Sequence, residues 1–365
     1  MFGRAIVKGI MLAANMVVVI IMLLSLLGTK ISPEEFIPPS YVTLIFPIII
    51  FLNTCFVVFW IIARKWHFLI SLLTLLLCST QIADTLPLHF GRTQSNVSGT
   101  TVKILTYNTM MSGGMAKHSS EQPNNVIQFV LDTDADIVCL QEFAVSPKEQ
   151  YLTQEDVLRI FKKYPYRHIW YKQEQNWAKS GVATFSKFPI IKKKNIDIQS
   201  RYNVSVYTDI VVNGDTIRVF NNHLESNRLT ERDRELPIQL KDSFDTEKLS
   251  GTTLHLSRKL GAAYKARAVQ ADTIASIRNR SPYKVIICGD FNDVPVSYAY
   301  TKIKGNLKDA FSETGFGLGW TLNLSIYKFR IDYVLYDATF TTNYFNISKV
   351  KYSDHYPVYC QLNIN

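Results

Sequence analysis

Several apolar runs in this 365-residue chain stop on side chains that can do chemistry. Tyr107-Asn108 closes "TVKILTYN", Gln141-Glu142 closes "DIVCLQE", Asn222-His223 closes "IRVFNNH", and Gly289-Asp290-Phe291-Asn292 closes "KVIICGDFN". Asp332 lies inside "RIDYVLYD", and Ser353-Asp354-His355 opens the final run, "SDHYPVYCQLNI". Singly these are ordinary: an Asp beside a strand is most often a turn residue or a helix cap. Jointly they supply four carboxylates (Glu142, Asp290, Asp332, Asp354), two imidazoles (His223, His355) and two amides (Asn108, Asn292). Hard oxygen donors in this number suit Mg²⁺ or Mn²⁺, which take few protein carboxylates and keep several waters. The imidazoles suit proton transfer or contact with a phosphate. No credible nucleophilic Ser or Cys accompanies them. The five cysteines sit in apolar runs with no CxxC spacing and read as small core residues.

Such side chains need rigid strands behind them, and the flanking sequence supplies these. "TVKILTYNTM" (101–110), "DIVCLQEF" (136–143), "SGVATFSKFPI", "YKVIICGDFN" (283–292), "FRIDYVLYD" (329–337) and "SDHYPVYCQLNI" read as strands. "VSVYTDIVVNGDTIRVFNNHL" reads as a hairpin turning at Asn213-Gly214, because Asn-Gly between alternating apolar residues favours a tight turn. "NNVIQFVLDTDA", "LTQEDVLRIFKKY" and "KLGAAYKARAVQADTIASIRNR" read as helices, and 225–256 is polar and carries no clear element. Strands alternating with helices predict a layered α/β sandwich.

The ordered set "ILTYNT", "DIVCLQE", "SGVATFSKFPI", "NNHLES", "ICGDFND", "RIDYVLYD" and "SDHYPV" resembles the successive motifs of the endonuclease/exonuclease/phosphatase superfamily, the deoxyribonuclease-like metal-dependent phosphoesterases. The resemblance spans about 101–365, and "GDFN" with "SDHYPV" is its most specific part. It implies a four-layer α/β sandwich, two central mixed sheets flanked by helices, with the site at one end of the sheets. It also implies roles. Glu142 resembles the principal Mg²⁺ ligand, with Asn108 and Asp354 nearby. Asp290 resembles the group that orients or deprotonates the attacking water, and Asn292 holds the phosphate beside it. His355 resembles the imidazole on the scissile phosphate, Asp332 the carboxylate that orients that ring, and His223 the second histidine on the leaving-group side. Asn108 also falls among the substrate-binding positions. The chain looks most like bacterial members that carry a membrane anchor.

The first hundred residues are of another kind. "AIVKGIMLAANMVVVIIMLLSLLG" (5–28), "YVTLIFPIIIFLNTCFVVFWIIA" (41–63) and "HFLISLLTLLLCSTQIA" (67–83, extendable to 86) approach the ~20 apolar residues that cross a bilayer core. They show no polar face of the kind a soluble core helix presents. The expected organisation is an anchor of three helices over 1–87, a small polar linker over 88–100, and the catalytic domain over 101–365. Arg4 and Lys8 precede the first run, and Arg64 and Lys65 fill the tight link between the second and third. Positive residues in short flanks stay cytoplasmic, so this multi-pass cell-membrane protein should hold its catalytic domain outside the cytoplasm.

Charge narrows the function only a little. Of the formal net charge of +10, +7 falls within 101–365. A scattered excess of that size suits an anionic substrate but equally suits solubility. No basic stripe interleaved with aromatics supports nucleic-acid binding on its own. The membrane part has no buried charge pair or inverted repeat, which removes a transporter reading. The expectation is an Mg²⁺- or Mn²⁺-dependent phosphoester hydrolase of phosphodiesterase or nuclease type. Its partners are the bilayer and a phosphate ester: nucleic acid, nucleotide or phospholipid headgroup. No protein partner is evident. A lipid- or sugar-phosphate phosphatase of phospholipase C type is the alternative within the fold, and a catalytically inactive binding module the alternative outside it. Two segments bear on substrate choice: 225–262, a candidate lid or lipid-facing loop, and "GFGLGWTLNLSIYKFR" (315–330), whose Trp320, Tyr327 and Phe329 are candidates for stacking on a base or touching lipid, with simple packing the leading reading.

Overall fold

The computed structural model describes residues 2–89, 99–230, 233, 246–324 and 327–364. Most of the expected linker (90–98) and part of the expected lid (231–232 and 234–245) lie outside them. The chain divides into two compact units. One holds Met1–Leu86 with Ser226–Ala268 and Val294–Lys302; the other holds Pro87–Glu225, Val269–Asp293 and Ile303–Asn365.

The larger unit is built on two six-stranded sheets. The first contains β1 (Thr100–Asn108), β2 (Ile137–Val145), β3 (Tyr166–Gln175), β4 (Ala178–Ser186), β13 (Thr341–Ile347) and β14 (Val358–Ile364). Its order is β13-β14-β1-β2-β4-β3. The second contains β5 (Ile190–Ile196), β6 (Val204–Val212), β7 (Asp215–His223), β8 (Lys284–Asp290), β9 (Lys308–Asp309) and β12 (Asp332–Tyr336), ordered β5-β6-β7-β8-β12-β9. A small separate ribbon pairs β10 (Leu322–Leu324) with β11 (Tyr327–Phe329). Each large sheet has one parallel pair at its centre, β1 with β2 and β7 with β8, and is otherwise antiparallel.

Period-2 alternation sorts the central strands into two cores. Val102 and Ile104 of β1, with Ile137 and Cys139 of β2, face Ile210, Val219, Ile286, Cys288 and Val334 of the second sheet. Leu105, Tyr107, Val138 and Leu140 point the other way. They pack on Val126, Ile127 and Val130 of the helix Asn125–Asp132 and on Phe161 and Phe185. Asn124 starts that helix by accepting the N–H groups of Val126 and Ile127. On the side of the second sheet, Gln270 of the long helix Thr246–Asn279 accepts the Glu225 N–H and donates to the Ile198 carbonyl. The expected sandwich of mixed sheets and helices is therefore present.

The expected hairpin is present too. β6 and β7 pair through to Val212↔Asp215, and Asn213 and Gly214 both have positive φ, 51° and 95°. Such a turn matches the twist of the flanking strands. Besides the short β9 and the β10–β11 ribbon, three longer strands went unread in the sequence, β3, β5 and β13, and all three lie at sheet edges. Their runs, "YRHIWYKQEQ", "IIKKKNI" and "TTNYFNI", are polar or charged, as edge strands must be to avoid pairing with other chains.

In the smaller unit, Ala5–Leu27 and Pro38–Ile62 are long and apolar enough to cross a membrane. The third apolar run is not one straight helix. Phe68–Leu77 and Ser79–Thr85 meet at Cys78 with a bend of 69°. Met22, Phe46, Ile49, Ile50 and Cys78 form the unit's core, together with Val296.

Candidate active site

Topology explains why side chains scattered over 108–355 meet. In the parallel pairs, β1, β7 and β8 end at the same edge of their sheets. Antiparallel pairing then turns the starts of β12 and β14 to that edge. In the second sheet, His223, Asp290 and Asp332 are direct neighbours in register, His223↔Asp290 on one side and Asp290↔Asp332 on the other. Gly289 makes this row possible. Its φ is 132°, and a Cβ there would stand 2.0 Å from the Asn222 carbonyl oxygen. The glycine of "GDFN" thus serves close backbone approach.

Asp290 is the hub. Its Oδ2 accepts the Asn108 amide at 2.9 Å and the Asn292 amide at 3.2 Å. Nε2 of His223 and Nε2 of His355 each lie 3.8 Å from the same oxygen. Its Oδ1 accepts the Asn292 backbone N–H at 2.8 Å. Asn292 holds a positive φ of 52° and donates its amide to the Leu224 carbonyl as well. Asp290 is 1% exposed, and burial raises its carboxyl above the usual carboxylate range, with the two imidazoles opposing.

His355 donates or accepts through Nδ1 to Asp332 Oδ2 at 2.9 Å, leaving Nε2 toward Asp290. Burial alone would lower its pKa; Asp332 and then Asp290 outweigh that and hold it at about 10. At neutral pH the ring is a cation, with Nδ1–H donating to Asp332. His223 has no such partner. Burial lowers its pKa and so favours the neutral ring, and among the described residues its Nε2 makes no hydrogen bond. Two imidazoles on one carboxylate oxygen are thereby held in different protonation states.

Glu142 is not at a strand end. It lies within β2 at a bulge, where the register against β4 shifts between Leu140 and Phe143, and its φ is 49°. The extra residue re-aims one side chain out of the ladder. Thr109 clamps the bulge by donating its hydroxyl toward the carbonyls of Gln141 and Glu142. The Glu142 carboxylate lies 3.5 Å from the Asn108 amide and 3.6 Å from His223 Nε2, and 34% of the side chain remains exposed. Among the described residues no Lys or Arg pairs with it, and burial raises its pKa. Asp354 is joined to the group through Ser353, whose hydroxyl contacts both the Asn108 carbonyl and Asp354 Oδ1. The negative charge of Asp354 is felt at Glu142.

Carboxylates of one sign gathered without a Lys or Arg fit a hard divalent cation. Glu142, the Asn108 side chain and Asp354 offer oxygen donors, and among the described residues the buried Asp332 Oδ1 has no hydrogen-bond partner. By distance alone another trio qualifies: Asp290, Asp332 and His355 bring ligating atoms within 4.8 Å of one another. His355 Nδ1 is already committed to Asp332, however, and a protonated ring is no ligand.

All eight sequence-selected residues come together, drawn from both large sheets and the loops that follow or precede their central strands. Supporting residues went unselected. Thr321 Oγ1 accepts the N–H groups of Ile331 and Asp332 and so fixes the start of β12. Asn221 joins the two sheets beneath the site: its Oδ1 accepts Gln141 Nε2 at 2.7 Å, and its amide donates to the carbonyls of Leu140 and Ala183. A lone Thr or Asn inside an apolar run carries no sequence signal for such a bridge.

The chain belongs to the endonuclease/exonuclease/phosphatase family, whose profile it matches over residues 105–355. Residues 8–85 match a domain family of unknown function, DUF8431. No curated protein matches. Among solved structures, a D. rerio TDP2 humanized by 14 mutations is 14% identical, covering 72% of this chain and 99% of its own, with a TM-score of 0.49. The human Nocturnin catalytic domain with bound sulfate is 16% identical, covering 72% and 94%, with a TM-score of 0.49. An endonuclease/exonuclease/phosphatase protein from Beutenbergia cavernae is 14% identical, covering 72% of each chain, with a TM-score of 0.47.

Proposed function

We propose that this chain is a membrane-anchored phosphoester hydrolase dependent on Mg²⁺ or Mn²⁺, with a catalytic domain over 101–365. One observation carries the reading: a buried carboxylate, Asp290, has two imidazoles, His223 and His355, each 3.8 Å from one of its oxygens. That set can take a proton from water and hold an anion beside it.

A water aligned by Asp290 attacks phosphorus and gives its proton to that carboxylate. The ester P–O bond breaks, and the His223 side of the site receives the leaving oxygen. His355, a cation held by Asp332, binds a non-bridging phosphate oxygen, and the Asn108 and Asn292 amides orient the group. Each donor is fixed before reaction, so little reorganisation is needed as charge develops. Glu142, Asn108 and Asp354 would hold the cation, which neutralises phosphate charge and lowers the barrier to attack by an anionic nucleophile.

The expected anchor of 1–87 and linker of 88–100 belong to the same proposal. Two apolar helices, or three if the bent pair counts as one span, would cross the bilayer. Lys8, Arg64 and Lys65 then stay cytoplasmic and the site lies outside. Protease added to right-side-out vesicles should remove the catalytic domain and spare the 64–66 link; removal only after lysis would reverse the topology. The chemical test is the full chain in nanodiscs with bis(p-nitrophenyl) phosphate. Glu142→Gln should abolish most turnover at limiting Mg²⁺ and recover part of it at high Mg²⁺. Wild-type turnover at limiting Mg²⁺ would refute the metal assignment.

A further inference from the structure

Beside the site lies an open cavity of about 750 Å³ that the hydrolytic machinery does not use. Phe316, Leu318, Trp320, Phe345, Ile347 and Lys349 line most of it. Phe316 is 59% exposed and Trp320 40%, so large apolar surface faces solvent there. A soluble surface rarely leaves such a patch without a use. We propose that this groove docks on the surface of a bilayer, and that the phosphoester it serves is carried by a membrane lipid. The substrate half of this inference rests on the hydrolase reading above; the docking half stands on its own.

Chain continuity names the occupant. The last apolar helix ends at Thr85. By Pro87 the chain is already bonded to the groove: the Pro87 carbonyl accepts the Gly317 N–H at 2.9 Å, and His89 donates its N–H to the Gly315 carbonyl. Leu88, itself 57% exposed, bridges to Phe316. Two residues span at most ~7 Å. A helix that leaves the bilayer at Thr85 therefore delivers the 315–320 loop to the bilayer surface by covalent connection alone. No comparable tether brings a soluble protein or a nucleic acid to this groove.

The chemistry of the rim agrees. Trp favours the membrane–water boundary, where its ring is buried and its N–H stays wet. Lys328 Nζ lies 5.3 Å from the Trp320 ring centre, and Lys349 donates to the Trp320 carbonyl. Cations that lie beside an exposed indole fit anionic headgroups.

The groove also adjoins the reacting centre. Trp320 precedes Thr321, whose hydroxyl fixes Asp332 and whose carbonyl accepts the Tyr356 N–H at 2.6 Å. Leu322 bridges to His355. Trp320 in the wall of the groove is thus two residues from Leu322, whose backbone pairs with that of His355. A lipid lying against Trp320 can present its phosphate to His355 while its chains stay in the bilayer.

The test uses the full chain in nanodiscs of mixed phosphatidylcholine and phosphatidylglycerol. Lipid brominated near the headgroup end of its acyl chains should quench part of the tryptophan emission, and Trp320→Phe should lower the quenched part to what Trp60 and Trp66 of the apolar N-terminal region contribute. Phosphatidylglycerol hydrolysis should fall about tenfold or more in a Phe316→Asp, Leu318→Asp double variant, since two apolar side chains lose their interfacial burial. Hydrolysis of soluble bis(p-nitrophenyl) phosphate should stay within about twofold, because neither residue touches the reacting centre. An unquenched Trp320, open to aqueous acrylamide in a chain that carbonate cannot strip from the bilayer, would overturn the docking proposal. Equal losses on both substrates would overturn the lipid-substrate half. Loss of soluble-ester activity in the wild-type chain, with Trp320 still quenched, would sink the hydrolase reading instead.

Discussion

The apolar helices of 5–85 and the sandwich that follows arrange the same residue types in opposite ways. In the helices, Phe51, Ile62 and Leu73 point outward, with Ile62 77% exposed. Inside them, Asn15 donates to Ser71 and accepts from Trp60, and Asn53 donates to the Ile49 carbonyl. In the sandwich the apolar residues fill two cores, and polar groups are buried where they join the sheets or form the site. The difference is the one that a lipid environment for the helices would produce. Where lipid surrounds a helix, apolar side chains gain nothing by facing inward, and polar contacts hold the helices together. Where water surrounds a sheet, burial of apolar area is the driving force. A buried polar group in the first region is thus a clasp between helices. In the second the buried Asn221 bridges the sheets and the buried Asp290 belongs to the site.

The largest effect should come from the centre of the sandwich. His355→Ala should lower kcat/KM by about 10²–10⁴-fold, the range for one positioned acid–base or electrostatic group. Asp332→Asn should cost less, and the double variant should be little worse than His355→Ala, since an orienting carboxylate has no role without its ring. Multiplicative losses would separate the two residues. Next comes the core itself. Phe185 stacks on Phe161 with ring centres 4.1 Å apart, and Phe185→Ala should destabilise the sandwich by about 3–5 kcal/mol. A denaturation midpoint that barely moves would mean this core does not carry the fold.

The pH profile gives a finer test. His355 is charged below about 10 and loses its proton above, so the alkaline limb of kcat/KM should fall there. Asp290 must be ionised to act, so the acid limb should lie above the usual carboxylate range. In Asp332→Asn, burial acts on His355 with less opposition, and the alkaline limb should move to lower pH. An unmoved limb would deny Asp332 its electrostatic role. The smallest effect belongs to the helices. Asn15→Leu removes the bonds to Ser71 and Trp60 and should destabilise the helical unit in detergent by about 1 kcal/mol, leaving soluble-ester turnover unchanged. A stabilised variant would mean the apolar faces, not the polar clasp, hold that unit.

The sequence alone determined a good deal. Central strands such as "KVIICGDFN" are legible because continuous apolar runs ending in polar residues mark strands buried on both faces. The turn at Asn213-Gly214 is legible because few residues tolerate positive φ. The eight site residues are legible because their motifs stand in order, each beside a strand. Other features were decided only by the tertiary structure. Edge strands β3, β5 and β13 carry little apolar alternation and exist because a neighbouring strand offers hydrogen bonds. The bulge that aims Glu142 depends on a register against β4 set by pairs along the whole strand. The bridge from Gln141 to Asn221 spans 80 residues of sequence. The opposite protonation of His223 and His355 depends on which ring lies beside Asp332. These depend on long-range proximity, and local patterns of residue type register only what neighbours in the chain do to one another.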